Sequence, residues 1–132
     1  MKAHHVLRHC VRVLAAAALA STPLLPGTAQ AVEPDQLFLR VVDNNHSWVR
    51  GVRLSCPPDG VRHPNALAAC QDLRAARGNL NRLPGDPHAC SLHSEPVTAT
   101  ADGSWRGKRI HWRKEFANPC ALDAYAGPVF RF

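Results

Sequence analysis

Apolar and polar positions change period several times along this chain, and each change predicts an element. "QLFLRVV" (Gln36–Val42) is rich in branched and aromatic residues and predicts a strand. "DNNHS" (Asp43–Ser47) is turn chemistry. In "WVRGVRLSC" (Trp48–Cys56), Val52, Leu54 and Cys56 alternate with Arg53 and Ser55, the period of a strand with one buried face. "PPDGVRHP" (Pro57–Pro64) reads as a loop. Leu67, Cys70, Leu73 and Ala76 or Arg77 then fall at helical spacing. They predict a helix over Asn65–Leu80, with Asn65 capping its start and Gly78 ending it.

No period survives in "RLPGDPHACSLHSEP" (Arg82–Pro96), which holds three prolines and a Gly-Asp pair. Loops this long in small domains tend to be functional or disordered, and a bridged cysteine at Cys90 argues against disorder. Leu92 has two readings here. It tucks back into the core, or it is held out as an apolar anchor for a partner's pocket. "VTATADGSWRGKRIHWRKEF" (Val97–Phe116) predicts a hairpin turning at Asp102-Gly103. Val97, Ala99 and Ala101 share a face. Ile110, Trp112 and Phe116 point to the core, with His111, Arg113 and Glu115 outward. "NPCALDAYAG" (Asn118–Gly127) predicts a short helical turn, and "PVFRF" (Pro128–Phe132) a last strand. About five strands and one or two helices in this order predict an α+β antiparallel domain.

Residues 1–31 stand outside this pattern. Lys2, Arg8 and Arg12, with His4, His5 and His9, make a positive start. The apolar run Val11–Ala20 is too short for a stable bilayer anchor, the alternative reading. Ala29-Gln30-Ala31 has the small-x-small form of a signal peptidase site. Residues 1–31 are therefore predicted to be a secretory signal peptide, and residues 32–132 one secreted, extracellular domain. Cys10 precedes the apolar run, the wrong place for lipidation. The remaining 101 of 132 residues suffice for a small core. Removing the leader takes Lys+Arg from 16 to 13 against 10 Asp+Glu, so the net charge falls from +6 to +3. That weakens a nucleic-acid partner, and no membrane partner is expected after the signal is removed.

Of five cysteines, four remain: Cys56, Cys70, Cys90 and Cys120. An even number in a small secreted domain predicts two disulfides in one of three connectivities. Sequential pairing is the simplest. In the chain-entropy model its loops contribute about 3 and about 3.5 kcal/mol, against a total stability of about 5–15 kcal/mol.

Candidate chemistry is sparse. Ser91, His93 and Ser94 crowd one loop with Asp86 nearby, but a catalytic triad is assembled from distant segments, and solvated polar groups are the better reading. No G-x-S-x-G is present. His88, Cys90 and His93 resemble a ligand cluster, but cysteines of secreted chains are more often bridged, so no metal or other cofactor is expected. "WRGKRIHWRK" interleaves Arg106, Lys108, Arg109, Arg113 and Lys114 with Trp105 and Trp112. This pattern suits a nucleic-acid surface or a solvated sheet face over core tryptophans, and the small net charge favours the second. Asn45-His46-Ser47 fits the glycosylation sequon.

Several blocks together resemble the Streptomyces subtilisin inhibitor family over about Leu37–Phe132. They are "VRLSCPPDGVRHPNALAACQDL", "GNLNRL", "CSLHSEPV", "DGSWRGKR", "FANPC" and "GPVFRF". The resemblance implies a five-stranded antiparallel sheet with two helices, and disulfides Cys56–Cys70 and Cys90–Cys120. It also implies a homodimer formed through the sheet, and a non-enzymatic function as a serine protease inhibitor. The partner would be an extracellular, subtilisin-like protease, with chymotrypsin-like enzymes also open. The scissile bond would be Leu92–His93, with Leu92 in the protease's primary pocket. Ala89, Cys90, Ser91, His93 and Ser94 would flank it along the cleft, and Asn118 would brace the loop by hydrogen bonding. A large apolar side chain suits such pockets and not a trypsin-like pocket, whose acidic group wants Lys or Arg.

Four positions depart from the familiar members. Ser91 stands where they have proline before the specificity residue. His93 and Ser94 replace bulkier neighbours, and Ala89 a larger residue. The alternative is a secreted binding domain of the same fold that has lost inhibition and docks elsewhere, for instance through the basic hairpin.

Overall fold

Alternation does what it predicts in the first strand, and in the second it fails at Ser55, which is buried between Leu54 and Cys56. The computed structural model describes residues 26–29, 34–60 and 62–132; most of the expected leader, residues 1–31, lies outside them. β1 (Asp35–Asp43) buries Leu37, Leu39 and Val41 and exposes Phe38 and Arg40. It pairs antiparallel with β2 (Val49–Cys56), which buries Leu54 and Cys56. β3 (Val97–Trp105) lies against the other edge of β1, and β4 (Lys108–Phe116) against β3. The sheet order is β2-β1-β3-β4, all antiparallel.

Helices cover one face of this sheet. α1 (Ala66–Ala75) buries Ala69, Cys70 and Leu73, and α2 (Pro119–Ala126) buries Leu122 and Ala126. Short 3-10 turns at Leu80–Arg82 and Gly127–Phe130 add Leu80, Val129 and Phe130 to the same core. The bridges are Cys56–Cys70, tying β2 to α1, and Cys90–Cys120, tying the long loop to α2. The α+β class, the two helices and the two disulfides agree with the sequence.

The strand count does not. Four strands form the sheet, not five, because "PVFRF" is not a strand. Gly127–Phe130 is a 3-10 turn instead, and it packs Val129 and Phe130 into the core beside α1 and α2. The hairpin also turns elsewhere. Arg106 (φ 47) and Gly107 (φ 74) form its two-residue turn, both in the left-handed region that such tight turns require. Asp102-Gly103 lies inside β3. Gly103 is needed there for close approach, since a Cβ would strike the carbonyl oxygen of Gln36 on β1.

The helix is shorter than its pattern. It stops at Ala75, and the chain passes through Arg77 (φ 54) and Gly78 (φ 75). Gly78 N–H reaches back to Leu73 O at 2.8 Å, closing the helix end. A Cβ at Gly78 would collide with the Trp105 ring, so the stop is also a packing contact. Leu67 is not on the buried stripe, being 63% exposed. Asn65 precedes the helix without capping it; its amide donates to Arg131 O at 2.7 Å instead.

Candidate functional site

The segment between Leu83 and Pro96 has no regular structure, yet it is tied down at short intervals. At its upstream end, Gly85 (φ 66) runs so close to α2 that a Cβ would sit 2.7 Å from Ala124 O. The next residue, Asp86, donates its N–H to the same oxygen at 3.0 Å. Its carboxylate accepts from Arg131 Nη2 at 2.9 Å, and Arg131 also grips Asp123 of α2 with two bonds of 2.7 and 2.9 Å. The guanidinium holds the Asp123 carboxyl below its ordinary 3.8 and is itself pushed up by the two carboxylates. One side chain near the C-terminal end thus joins the loop to α2.

His88 is next. Its Nδ1 lies 2.6 Å from Asp86 O and its Nε2 3.6 Å from Asp123. Two groupings here have metal-ligand chemistry, and both are committed. Cys90 and Cys120 beside His88 are bonded to each other, and the carboxylates of Asp86 and Asp123 are bound by Arg131. His93 belongs to neither grouping.

Asn118 holds the middle of the loop. It is 7% exposed and stands at the amino end of α2, where Pro119 follows as first helical residue. Its Oδ1 accepts the Ala121 N–H at 2.8 Å and caps the helix. Its Nδ2 donates to Ser91 O at 3.3 Å and to His93 O at 2.8 Å. These two carbonyls flank Leu92, whose side chain is 101% exposed. Of the two readings of that leucine, the structure has the outward one.

The downstream side is fixed by other elements. His93 Nε2 lies 3.4 Å from Glu95, Glu95 N–H donates to Ala117 O at 2.9 Å, and Asn44 N–H donates to Pro96 O at 3.0 Å. Asn44 sits in the β1–β2 turn, which Asp43 builds by accepting from Ser47 Oγ and Trp48 N–H at 2.7 and 2.8 Å. Those donors hold the Asp43 carboxyl below its ordinary value, the Ser47 hydroxyl most. The Asn44 side chain links Thr98 and Glu115, so the turn is tied to both β3 and β4.

The predicted site residues Ala89, Cys90, Ser91, Leu92, His93, Ser94 and Asn118 therefore stand together, with all but Cys90 and Asn118 exposed. Among the described residues no serine hydroxyl bonds a histidine ring, and the loop holds no nucleophile–base pair. The arrangement is a strip of backbone tethered on both sides of one fully exposed apolar side chain, Leu92. Sequence reasoning missed Asn44, Gly85, Asp86 and Arg131 as its supports.

Such a strip on a small two-disulfide α+β domain defines a class, one that holds an exposed loop in place by a bridge and side-chain hydrogen bonds. A family model described as subtilisin inhibitor-like matches residues 33–118, and the chain belongs to that family. Subtilisin inhibitor-like protein 5 of Streptomyces fradiae is 43% identical over 86 residues, covering 64% of this chain and 80% of that one. The subtilase-type protease inhibitor of Streptomyces coelicolor is 38% identical over 125 residues, covering 90% and 85%. Among solved structures, Streptomyces caespitosus sermetstatin in complex with Bacillus licheniformis subtilisin matches with a TM-score of 0.59 at 33% identity. That match covers 75% of this chain and 99% of the other.

Proposed function

We infer that this chain is an inhibitor of subtilisin-like serine proteases, docking as a substrate would, with Leu92–His93 as the reactive bond. One observation carries the reading: Asn118 bonds the carbonyls on both sides of Leu92 while the leucine side chain stands fully in solvent. A loop already in its bound shape loses little conformational entropy on docking. If the bond opens, the Cys90–Cys120 bridge and Asn118 keep both new ends in place. The released amine then stays beside the acyl-enzyme at high effective concentration and rejoins faster than water attacks. A binding domain that had lost inhibition would need no brace on both sides of one peptide bond.

The apolar crest directs the inhibitor to enzymes with apolar primary pockets and away from trypsin-like ones. Ala89, Cys90, Ser91, His93 and Ser94 line the contact on either side. Residues 1–31 act as the secretory signal and residues 32–132 as the exported domain. No helix among the described residues is long and apolar enough to cross a membrane. The open face of the sheet, with Phe38 49% exposed over Gly51, serves as the homodimer surface; the test of that pairing is the mass in solution. The reactive bond itself is tested by long incubation with catalytic amounts of subtilisin followed by mass spectrometry. Nicking at Leu92–His93 is expected, and first cleavage anywhere else would remove that bond from the proposal.

A further inference from the structure

Five large apolar side chains of the described residues stand exposed: Phe38, Trp48, Val49, Leu67 and Leu92. Leu92 is accounted for by the loop. Phe38 and Val49 lie on the open face of the sheet, and Leu67 on α1. Trp48, 39% exposed, lies on the opposite side of the sheet from its neighbour Val49. There it borders a groove with Val41, Pro119 and Leu122. Trp48 and Pro119 also share a second groove with Ser94, Glu95 and Pro96, the part of the loop downstream of Leu92. None of the other four exposed side chains borders that second groove.

Two observations tie this indole to the loop. The first is a shared framework. Asp43 takes the Trp48 N–H on its carboxylate at 2.8 Å and gives its own N–H to Trp48 O at 3.4 Å, so both backbone groups of Trp48 are held. The Arg50 guanidinium lies 5.6 Å from the ring centroid, a cation–π contact that restrains the ring. The same turn holds the loop, because Asn44 N–H donates to Pro96 O at 3.0 Å. Indole and loop therefore stand on one support, and neither needs ordering when a partner docks on both. The second observation is distance. Ser94 follows Leu92 by two residues, at most about 7 Å of chain. One side of an ordinary protein interface covers about 800 Å², a disc of about 16 Å radius, which leaves about 9 Å beyond Ser94. A protease seated on Leu92 covers the groove that Ser94 and Trp48 share.

We propose that Trp48 is a second anchor for the same protease, docking against the rim of its cleft on the side that receives His93 and Ser94. The proposal rests on the inhibitory reading and adds a contact outside the loop. Downstream of Leu92 the loop itself offers no large apolar side chain, since His93, Ser94 and Glu95 are all polar. Trp48 supplies one beside them. Tryptophan suits this place, because it covers much area with few rotors to freeze and is enriched at interface anchors. The rim of the protease needs an apolar patch for the ring, with an oxygen in reach of the indole N–H. A second copy of this chain paired through the open sheet face would leave Trp48 uncovered, since the indole lies on the helix side.

The test joins inhibition assays to fluorine NMR of oxidised protein carrying fluorinated tryptophan. Trp48, Trp105 and Trp112 give three fluorine lines, and Trp48→Phe assigns the first. One equivalent of subtilisin should shift the Trp48 line and leave the lines of buried Trp105 and Trp112 in place. Trp48→Ala should raise the inhibition constant roughly five- to thirtyfold, the range of one interface anchor, mainly through faster dissociation. Trp48→Phe should recover part of that loss. Val49→Ala, the next residue but on the opposite face, should leave the constant unchanged. Full inhibition by wild type with an unmoved Trp48 line, or equal constants for Trp48→Ala and wild type, would overturn the anchor and leave the inhibitory reading standing. An equal loss in Val49→Ala would assign the effect to the turn and overturn the anchor too. A Trp48 line that moves with protein concentration before protease is added would give this surface to a second copy instead. Absence of inhibition by wild type would overturn both readings.

Discussion

Asn118 donates its side-chain N–H to the carbonyl oxygen of His93 at 2.8 Å, across 25 residues of chain. The same amide caps α2 through its oxygen. Two substitutions separate these duties. Asn118→Asp keeps the cap but has no N–H to give the loop. It should lower Tm, because a buried carboxylate oxygen then faces two carbonyl oxygens, and raise the inhibition constant roughly five- to 150-fold, for two bonds together worth about 1–3 kcal/mol. Asn118→Ala should lose both, with the cap contributing about 1 kcal/mol of stability. Inhibition assays beside thermal melts check this; equal potency of Asn118→Asp and wild type would exclude the brace.

Leu92 is the expected specificity residue because its side chain touches nothing of its own domain. Leu92→Lys should weaken inhibition of subtilisin about ten- to hundredfold, the worth of one buried aliphatic side chain, and create inhibition of trypsin. Tm should not move. Unchanged selectivity in a panel of the two enzymes would assign specificity to another residue.

The Cys90–Cys120 bridge ties the loop beside Leu92 to α2. Cys90→Ser with Cys120→Ser leaves Cys56–Cys70 and the core intact. Each loop residue set free costs about 1–2 kcal/mol to reorder on docking, or roughly five- to thirtyfold in affinity. The variant should be cleaved as a substrate, followed as intact chain remaining over time with subtilisin. Resistance equal to wild type would contradict this role of the bridge.

His63 gives the fold a pH dependence remote from the loop. It is 7% exposed, its Nδ1 accepts from Asn65 N–H at 3.1 Å, and its Nε2 donates to Val129 O at 2.9 Å. The bond accepted by Nδ1 needs the neutral ring, and burial, outweighing the bond to Val129 O, holds the pKa below the ordinary 6.5. The unfolded chain therefore takes up the proton first, so stability is full above about pH 6.5 and declines as pH falls from there toward the folded pKa. The slope is at most about 1.4 kcal/mol per pH unit. Asp43 and Asp123, held below 3.8, add a further loss only near and below that value. Melts between pH 8 and 5 should show a declining Tm that His63→Gln flattens.

What could be read from the sequence is what local pattern encodes. β1 alternates cleanly, and the cysteines, prolines and solitary Leu92 mark the loop within one short stretch. The sequence pattern puts the hairpin turn at Asp102-Gly103, but Arg106-Gly107 also offers a turn-forming glycine and is the turn the fold uses. Only the approach of Gln36 on a different strand gives Gly103 another purpose. "PVFRF" has strand composition, but its two adjacent buried residues answer to helices elsewhere in the chain. The supports of the loop share that difficulty. Arg131 and Asp86 are 45 residues apart, and no spacing rule links them. Asn44 looked like ordinary turn chemistry, and its N–H to Pro96 O depends on how β1 and β3 align.

The most direct measurement is an active-site titration. Oxidised protein of residues 32–132 is added stepwise to subtilisin of known active-site concentration, and residual activity is read at each step. A linear fall to near zero at one equivalent, with Leu92–His93 largely intact, is the predicted result. Full residual activity, whether the loop is cut or untouched, would contradict inhibition through this loop.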